Sequence, residues 1–351
     1  MPSSPPALPD LILHPAARAL WRPDSTLQLE LGDRAVVVQG PGVEAVRRIL
    51  GRRPPTAAAS SEGAPQLLAD TGSSGAGEQV VQALTEAGYL WPAEDADCAE
   101  TWPVTLPNTR LAPPSPRLNG ELRAMTVRHG ERAAELLHAR RHVVVLVQGN
   151  NRAGPLVATL LAAAGVGRVC VQESRPVRMN QAVPGGIGPD DEGRPFGAAA
   201  NAAVQRAAPG TDMRRPPTHE APDLVVLAYD EPIDPDHRAV LHTYGHAHLP
   251  VRLAADSGVV GPLVVPGLTS CLRCADLHRL DRDPAWTALA VQLTGPPRTG
   301  SASPVTLAAT VAAVAATQAL AYLDGEQPAV IEGTLEQHLP DWRLRRRSWP
   351  L

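Results

Sequence analysis

One stretch constrains the fold of this chain more than any other: His142 to Glu173, HVVVLVQGNNRAGPLVATLLAAAGVGRVCVQE. A β-branched apolar run, Val143 to Val147, meets a glycine turn at Gly149. A helical pattern from Pro155 to Ala164 follows, then Gly165, a second apolar run and the acidic Glu173. Strand, turn, helix and strand within about 30 residues make a βαβ unit, the size of the mononucleotide-binding half of a dinucleotide fold. An acidic residue just past the second strand is placed to hydrogen-bond a ribose hydroxyl. The glycine fingerprint is incomplete. G-x-G-x-x-G requires glycine at Asn151, where backbone approaches phosphate most closely, while Gly149 and Gly154 are in place. A partial loop of this kind equally describes an ordinary strand–turn–helix.

At 351 residues the chain is long enough for two domains with their own cores. All 32 basic residues are arginine. No lysine can therefore serve as a phosphate-loop cation, a Schiff-base former or a general base. A net charge of −4 gives no global attraction to nucleic acid or to a membrane surface. Four cysteines, Cys98, Cys170, Cys271 and Cys274, do not make a disulfide framework at this length. Cys170 sits in an apolar strand and reads as a buried hydrophobe.

The N-terminus lacks a basic segment followed by an apolar core, so no secretory signal is read. Val305 to Leu323 is apolar but dominated by Ala and Thr, which gain little in hydrocarbon. Ser303 as N-cap, Pro304 at the first helical position and Gly325 past the end predict a buried helix of a soluble protein. The expected compartment is the cytoplasm, with no membrane partner.

Three regions follow from pattern. Residues 1–92 form a first module: Thr26 to Leu31 alternates as a strand, Gly32-Asp33 turns, and Arg34 to Gln39 returns. Helices are expected over Val43–Leu50 and Gln79–Ala87, separated by a Pro/Ala/Ser segment from Arg53 to Pro65. A hairpin with short helices suggests a small winged-helix-like α+β domain. Residues 93–120, rich in Pro and Ala, read as a linker that also holds Cys98. Residues 121–351 are α/β. A connecting helix is expected at 121–140, strands at 143–147, 168–172, 223–228 and 250–254, and helices at 155–164, 197–207 and 236–246. Such alternation predicts a Rossmann-like, mostly parallel sheet covered on both faces. Further strands are expected at 261–266, 329–332 and 342–349, the last with an arginine cluster on a solvated face.

The segments GVGRVCVQE (165–173), EGRPFGAAANAAVQRAAP (192–209), DLVVLAYDE (223–231) and GPLVVPGLTSCLRCADLHRLDRDP (261–284) resemble, in that order, the ThiF family. This is the ubiquitin-activating-enzyme superfamily, which adenylates the carboxyl terminus of small carrier proteins. The resemblance covers most of residues 120–351. It implies a ThiF fold, an ATP/Mg²⁺ site, a structural zinc held by two cysteine pairs, and work as a homodimer, for which the helix at 305–323 offers a surface.

Carried over position by position, the resemblance makes Glu173 the ribose ligand and Asp230 the metal- and nucleotide-contacting catalytic aspartate. Gly149 and Gly154 belong to the phosphate loop. The second acidic residue past the strand is here Arg175, and the family lysine that binds phosphates corresponds to Phe196 within Gly193-Arg-Pro-Phe-Gly197. The Asn-Leu-x-Arg-Gln segment is replaced by Met179-Asn-Gln-Ala-Val-Pro184. Arg175 and Arg194 could offset phosphate charge, but Arg175 cannot hold Mg²⁺. Losing one cation that stabilises developing charge costs on the order of 10²–10³ in rate. Cys271, Cys274 and His278 could supply three zinc ligands, and the alternative is two reduced thiols at a tight turn. His242, His246 and His248 could add to them or be a solvated helix end.

The first module resembles the winged-helix recognition element attached to ThiF-like proteins of peptide-modification pathways, through Leu20-Trp-Arg22, Thr26 to Gly32 and Gly88-Tyr-Leu90. That implies a leader peptide added as a strand beside the hairpin; a domain that only packs on its neighbour is the other reading. The expected function is a degenerate ThiF protein that binds a peptide or small carrier tail and presents it to a partner modification enzyme. The rival is a working adenylyltransferase using Glu173 and Asp230. A DNA-associated winged helix is a third class, against which the acidic balance argues.

Overall fold

The computed structural model describes residues 11–51, 74–92, 105–106, 109–110, 115–293 and 303–350, apart from positions 15, 23, 24, 131 and 218. The segment from Arg53 to Pro65, Cys98 and most of the expected linker lie outside the described residues. The chain divides into two compact units, Met1–His138 and Ala139–Leu351.

In the first unit, β1 (Leu11–Leu13), β2 (Ala17–Trp21), β3 (Leu27–Leu31) and β4 (Arg34–Val38) precede α1 (Pro41–Leu50) and α2 (Ser74–Glu86). A short β5 (Leu90–Pro92) returns to pair with β1. The sheet β2-β3-β4 is antiparallel with β3 central, and its hairpin turns at Gly32 in the left-handed region. Leu27, Leu29 and Leu31 alternate onto one face and are buried with Val46, Ile49, Val81 and Leu84. Each such burial contributes about 1.5–3 kcal/mol, which fixes the register. His14 pins the far end. Its Nδ1 accepts the Ala16 N–H at 3.0 Å, so the proton sits on Nε2, which donates to Thr126 Oγ1 at 3.1 Å. Burial, with the Arg34 charge behind it, lowers the His14 pKa to about 4.

Two-residue strands β6 (Thr105–Leu106) and β7 (Thr109–Arg110) pair with each other. The single helix expected over 121–140 is in fact two, α3 (Asn119–His129) and α4 (Arg132–Ala139). Gly130 takes a positive φ of 56° and stops the first of them.

The second unit runs β8 (Val144–Gln148), α5 (Ala153–Ala163), β9 (Arg168–Gln172), α6 (Phe196–Ala207), β10 (Leu224–Leu227), α7 (Pro235–Thr243), β11 (His248–Leu253) and β12 (Ser257–Val260). Then come α8 (Leu272–Arg282), α9 (Trp286–Leu293), α10 (Val305–Leu323), β13 (Gly333–His338) and β14 (Leu344–Ser348). All seven strands form one sheet in the order β14-β13-β12-β11-β10-β8-β9. The pairs among β9, β8, β10 and β11 are parallel, and β12 to β14 continue the sheet antiparallel. The Rossmann-like α/β expectation holds for the parallel half.

Several boundaries differ from expectation. Residues 261–266 form only isolated bridges, Val264 to His248 and Leu263 to Ile331, because Pro262 and Pro266 have no N–H for a ladder. The strand expected at 329–332 begins at Gly333 instead. Helix α7 stops at Thr243, so His246 is not helical and does not share a helix face with His242. The N-cap of α10 is Pro304 rather than Ser303. Both α8 and α9 escaped the pattern because α8 alternates charge with apolar residues too densely to show a clean stripe.

One face of the sheet carries the main core. Val145, Val147, Val169 and Val226 pack with residues of α5, α6 and α10. Covered by the sheet, α6 and α10, the first helix α5 is apolar all round. Helix α10 is 19 residues long and, by length and composition alone, apolar enough to cross a membrane. Leu307, Val311, Ala315 and Ala319 on it are nonetheless buried in this core. The opposite face is divided. Leu146, Cys170, Val225 and Leu227 meet Leu241 of α7, while over β11 to β14 the same face turns polar beneath α8 and α9.

Candidate functional site

The parallel order β9-β8-β10 makes the gap between β8 and β10 a switch point, where the chain leaves in opposite directions and open α/β sheets take their ligands. Gly149 lies there with a positive φ of 103°. A Cβ on it would fall 2.2 Å from Ala228 O, so its glycine serves strand contact. Gly154 meets Ala228 too, where an added Cβ would lie 3.0 Å from the Ala228 Cβ. Ala228 N–H donates to Gln148 O at 2.7 Å and Asn151 N–H donates to Ala228 O at 3.1 Å, continuing the contact past the strand ends.

Asn151 is the residue that departs from the glycine fingerprint, and its side chain is 1 % exposed. Its Oδ1 accepts the N–H groups of Ala153 and Gly154, both at 3.1 Å. Its Nδ2 donates to Val251 O at 2.8 Å. The amides at the start of α5, which would face a phosphate, are thus taken by an oxygen of the chain itself.

The other groups expected of a nucleotide site are also engaged. Glu173 Oε1 accepts the Arg175 N–H at 2.8 Å and Oε2 accepts Arg175 Nη2 at 2.7 Å. Burial raises the Glu173 pKa, but the hydrogen bonds from Arg175 outweigh it and hold the carboxyl below its ordinary value. Arg194 is bound to the buried Asp191. Phe196, which the sequence resemblance sets against a phosphate-binding lysine, is a fully buried core residue whose N–H donates to Arg175 O. Asp230 is half-buried just past β10. Gly149, Gly154, Glu173, Arg175 and Asp230 therefore gather along the carboxyl ends of β8, β9 and β10. The Ala153 and Gly154 amides are held by Asn151, while the Arg175 and Arg194 side chains are partly exposed and paired with carboxylates.

The zinc set does not assemble. Cys271 and Cys274 come together, Sγ to Sγ 3.6 Å, at the N-terminus of α8. His278, one turn on, instead bonds the Pro350 carbonyl oxygen at 2.8 Å. Among the described residues no group of three His, Cys, Asp or Glu side chains is placed to hold a metal. Two thiols fall short of the four ligands of a structural zinc, so zinc does not fit. His242, His246 and His248 do not converge either; His246 stacks on Tyr244, and His248 is buried with Nδ1 on His246 O.

The polar half of the second face holds a cleft of about 520 Å³ between the sheet and the helices α7, α8 and α9. Asp276 of α8 builds its roof. It accepts Arg238 Nη1 of α7 at 2.5 Å, Arg279 Nη1 at 2.9 Å and, more weakly, Trp286 Nε1 of α9 at 3.3 Å. The Arg279 guanidinium lies over the rings of Trp286 and Trp349, 5.2 and 5.0 Å from their centroids. On the floor, Trp349 Nε1 donates to Thr334 Oγ1 and Thr334 Oγ1 donates to Glu336 Oε1, each at 3.0 Å. Arg347 pairs with Glu336 Oε2 at 3.3 Å.

Arg252 enters the same cleft from β11, and its strand register sets it in one row with Val259 and Glu336. It makes no hydrogen bond among the described residues. Desolvation first, and then the neighbouring Arg279, pull its pKa down. The Glu336 and Asp230 carboxylates offset part of both effects, and by surface area Arg252 is exposed, so its guanidinium is open to an anionic ligand.

Pattern reading missed Arg252, Asp276, Arg279, Trp286, Glu336 and Trp349. The one available signal was Arg252, the single charge inside the apolar run from Leu249 to Leu253. The arginine strand β14 is solvated as expected, but Trp349 at its end is 2 % exposed.

No family model and no curated sequence matches the chain. Solved structures do. MccB of E. coli with MccA-N7isoASN superposes with a TM-score of 0.67 at 13% identity, over 97% of this chain and 96% of that one. The chain has the MccB fold. MccB with ATP gives a TM-score of 0.66 at 12% identity, covering 97% of each chain. PaaA gives 0.62 at 12% identity, over 96% of this chain and 99% of that one. A further MccB structure is described as the Microcin C7 biosynthetic enzyme in complex with N-formylated MccA.

Proposed function

We propose that this protein is a ThiF-type, MccB-like chain that binds a peptide or small carrier tail and presents it to a partner enzyme, with adenylation of its own reduced or lost. The observation that carries the reading is Asn151 Oδ1 holding the Ala153 and Gly154 amides where an ATP phosphate would need them. Cleft chemistry supports the other half: Arg252, without a hydrogen bond among the described residues, for a carboxylate, beside the partly exposed Trp286 for an apolar side chain. The likeness to MccB bound to MccA peptides supports a peptide as ligand.

In the first unit, β2 is an edge strand with Leu20 and Trp21 exposed, which suits a leader peptide adding as a further strand to a winged-helix-like module. The proposal includes a cytoplasmic homodimer with the outer face of α10 as its surface. It keeps the functional boundaries 1–92, 93–120 and 121–351.

The rival reading, an active ATP-dependent adenylyltransferase, is favoured by the near-complete superposition on MccB with ATP. It would use Glu173 for ribose, Asp230 for Mg²⁺ and Arg175 or Arg194 for phosphate, each first released from its present partner. Peptide-dependent ATP–pyrophosphate exchange separates the two. We expect exchange no higher than that of Asp230→Ala; robust exchange abolished by Asp230→Ala would establish the rival.

A further inference from the structure

Among the described residues no third metal ligand stands beside the cysteine pair of α8, so the pair needs another account. Cys271 precedes the helix in extended backbone, φ −97° and ψ 175°, while Cys274 sits in its first turn. Their sulfurs are 3.6 Å apart and both residues are partly exposed. A disulfide needs about 2.05 Å, an approach that side-chain rotation and a small shift of the non-helical Cys271 can supply. Cys170 is the internal contrast. It is 4 % exposed within β9, and burial pushes its thiol pKa up.

We propose that Cys271 and Cys274 are a redox-active dithiol that closes to an intrachain disulfide by exchange with a low-molecular-weight disulfide. One cysteine, its proton lost to water, attacks a sulfur of the small disulfide. A protein–small-molecule disulfide forms and the first thiolate leaves with the electron pair. The second cysteine, likewise deprotonated, attacks the protein sulfur of that mixed disulfide and expels the second thiolate. Both leaving thiolates take up protons. The protein loses two hydrogens and is oxidised, and the small disulfide is reduced to two thiols.

Location gives the step a consequence. Leu272, Arg273, Ala275 and Asp276 of the same helical turn line the cleft, and Asp276 ties α8 to α7 and α9. Closing the disulfide stiffens that wall. Its effect on ligand binding rests on the function proposed above; the redox step does not.

The test uses the full chain with Cys98→Ser, incubated with glutathione disulfide, quenched with N-ethylmaleimide and mapped by mass spectrometry. The expected product is lighter by two hydrogens, linked between 271 and 274, and restored by dithiothreitol, with Cys170 alkylated only after unfolding. Adding Cys274→Ser should halt the reaction at one glutathionyl adduct on Cys271. Hydrogen exchange should slow over the first turn of α8 in the oxidised form. Two thiols that stay free in excess glutathione disulfide, or a stoichiometric zinc that protects them in the purified protein, would overturn the proposal.

Discussion

The loop between β8 and α5 and the cleft beneath α8 lie in one unit, yet they treat their polar groups in opposite ways. At the loop, Asn151, Glu173 and Arg194 each have a partner within the chain, and Asn151 alone makes three hydrogen bonds. In the cleft, Asp276 and Glu336 are satisfied by neighbouring side chains while Arg252 makes no hydrogen bond among the described residues. A site that keeps its groups satisfied internally asks a ligand to break those bonds first. A site that leaves a cation unsatisfied gains on binding. The difference teaches that one sheet can close a loop upon itself at the carboxyl end of β8 and still present an accessible cation on one of its faces.

The largest expected effect comes from breaking the loop. Asn151→Ala removes two hydrogen bonds to helix amides and leaves the buried Val251 carbonyl oxygen short of one donor. We expect a loss of about 3 kcal/mol in chemical denaturation. A loss under about 1 kcal/mol would mean that the loop is not closed by Asn151.

Acid should weaken the first unit through His14. The folded His14 pKa of about 4 lies below the ordinary 6.5, so the fold favours the neutral ring. Its contribution is complete above pH 6.5 and declines as pH falls toward 4, by up to about 3 kcal/mol. Denaturation between pH 7 and 4 should show the first unit weakening through His14, and the second weakening too, because burial also lowers the pKa values of His237 and His248. His14→Phe should flatten the first unit's dependence.

Arg252→Ala sharpens the comparison from the other side. Affinity for a peptide with a free terminal carboxylate should fall about tenfold or more, as expected for a charged hydrogen bond of about 1.5–3 kcal/mol. The amidated peptide should be indifferent to the substitution. Since Arg252 is exposed and makes no hydrogen bond among the described residues, the melting temperature should hold.

Glu173→Gln should do least. Arg175 is substantially exposed, and the pair is discounted for solvent, leaving less than about 1 kcal/mol. Because the Glu173 pKa is lowered, that increment is present above the ordinary carboxylate range and is lost as pH falls through the folded value.

Much of the fold was legible because its strongest signals are local. The run from Val143 to Glu173 announces strand, helix and strand through periodicity alone, and the hairpin from Leu27 to Val38 does so through alternation. Strand β12 was not legible, since Ser257–Val260 owes its place to pairing with β11 and with the distant β13. At the site, sequence could show that Asn151 breaks the fingerprint, but its hydrogen bond to Val251 spans 100 positions. Trp349 lies 70 positions from Arg279 in sequence, and only the sheet order brings β14 beside α8. The cysteine spacing was plain. That His278 would turn to Pro350 was not.

Calorimetric titration of Mg²⁺-ATP into the full-length protein tests the central claim most directly. The closed loop predicts no binding heat up to millimolar nucleotide, in the presence or absence of peptide. Micromolar binding that Asp230→Ala abolishes would contradict it and make the chain a working adenylyltransferase.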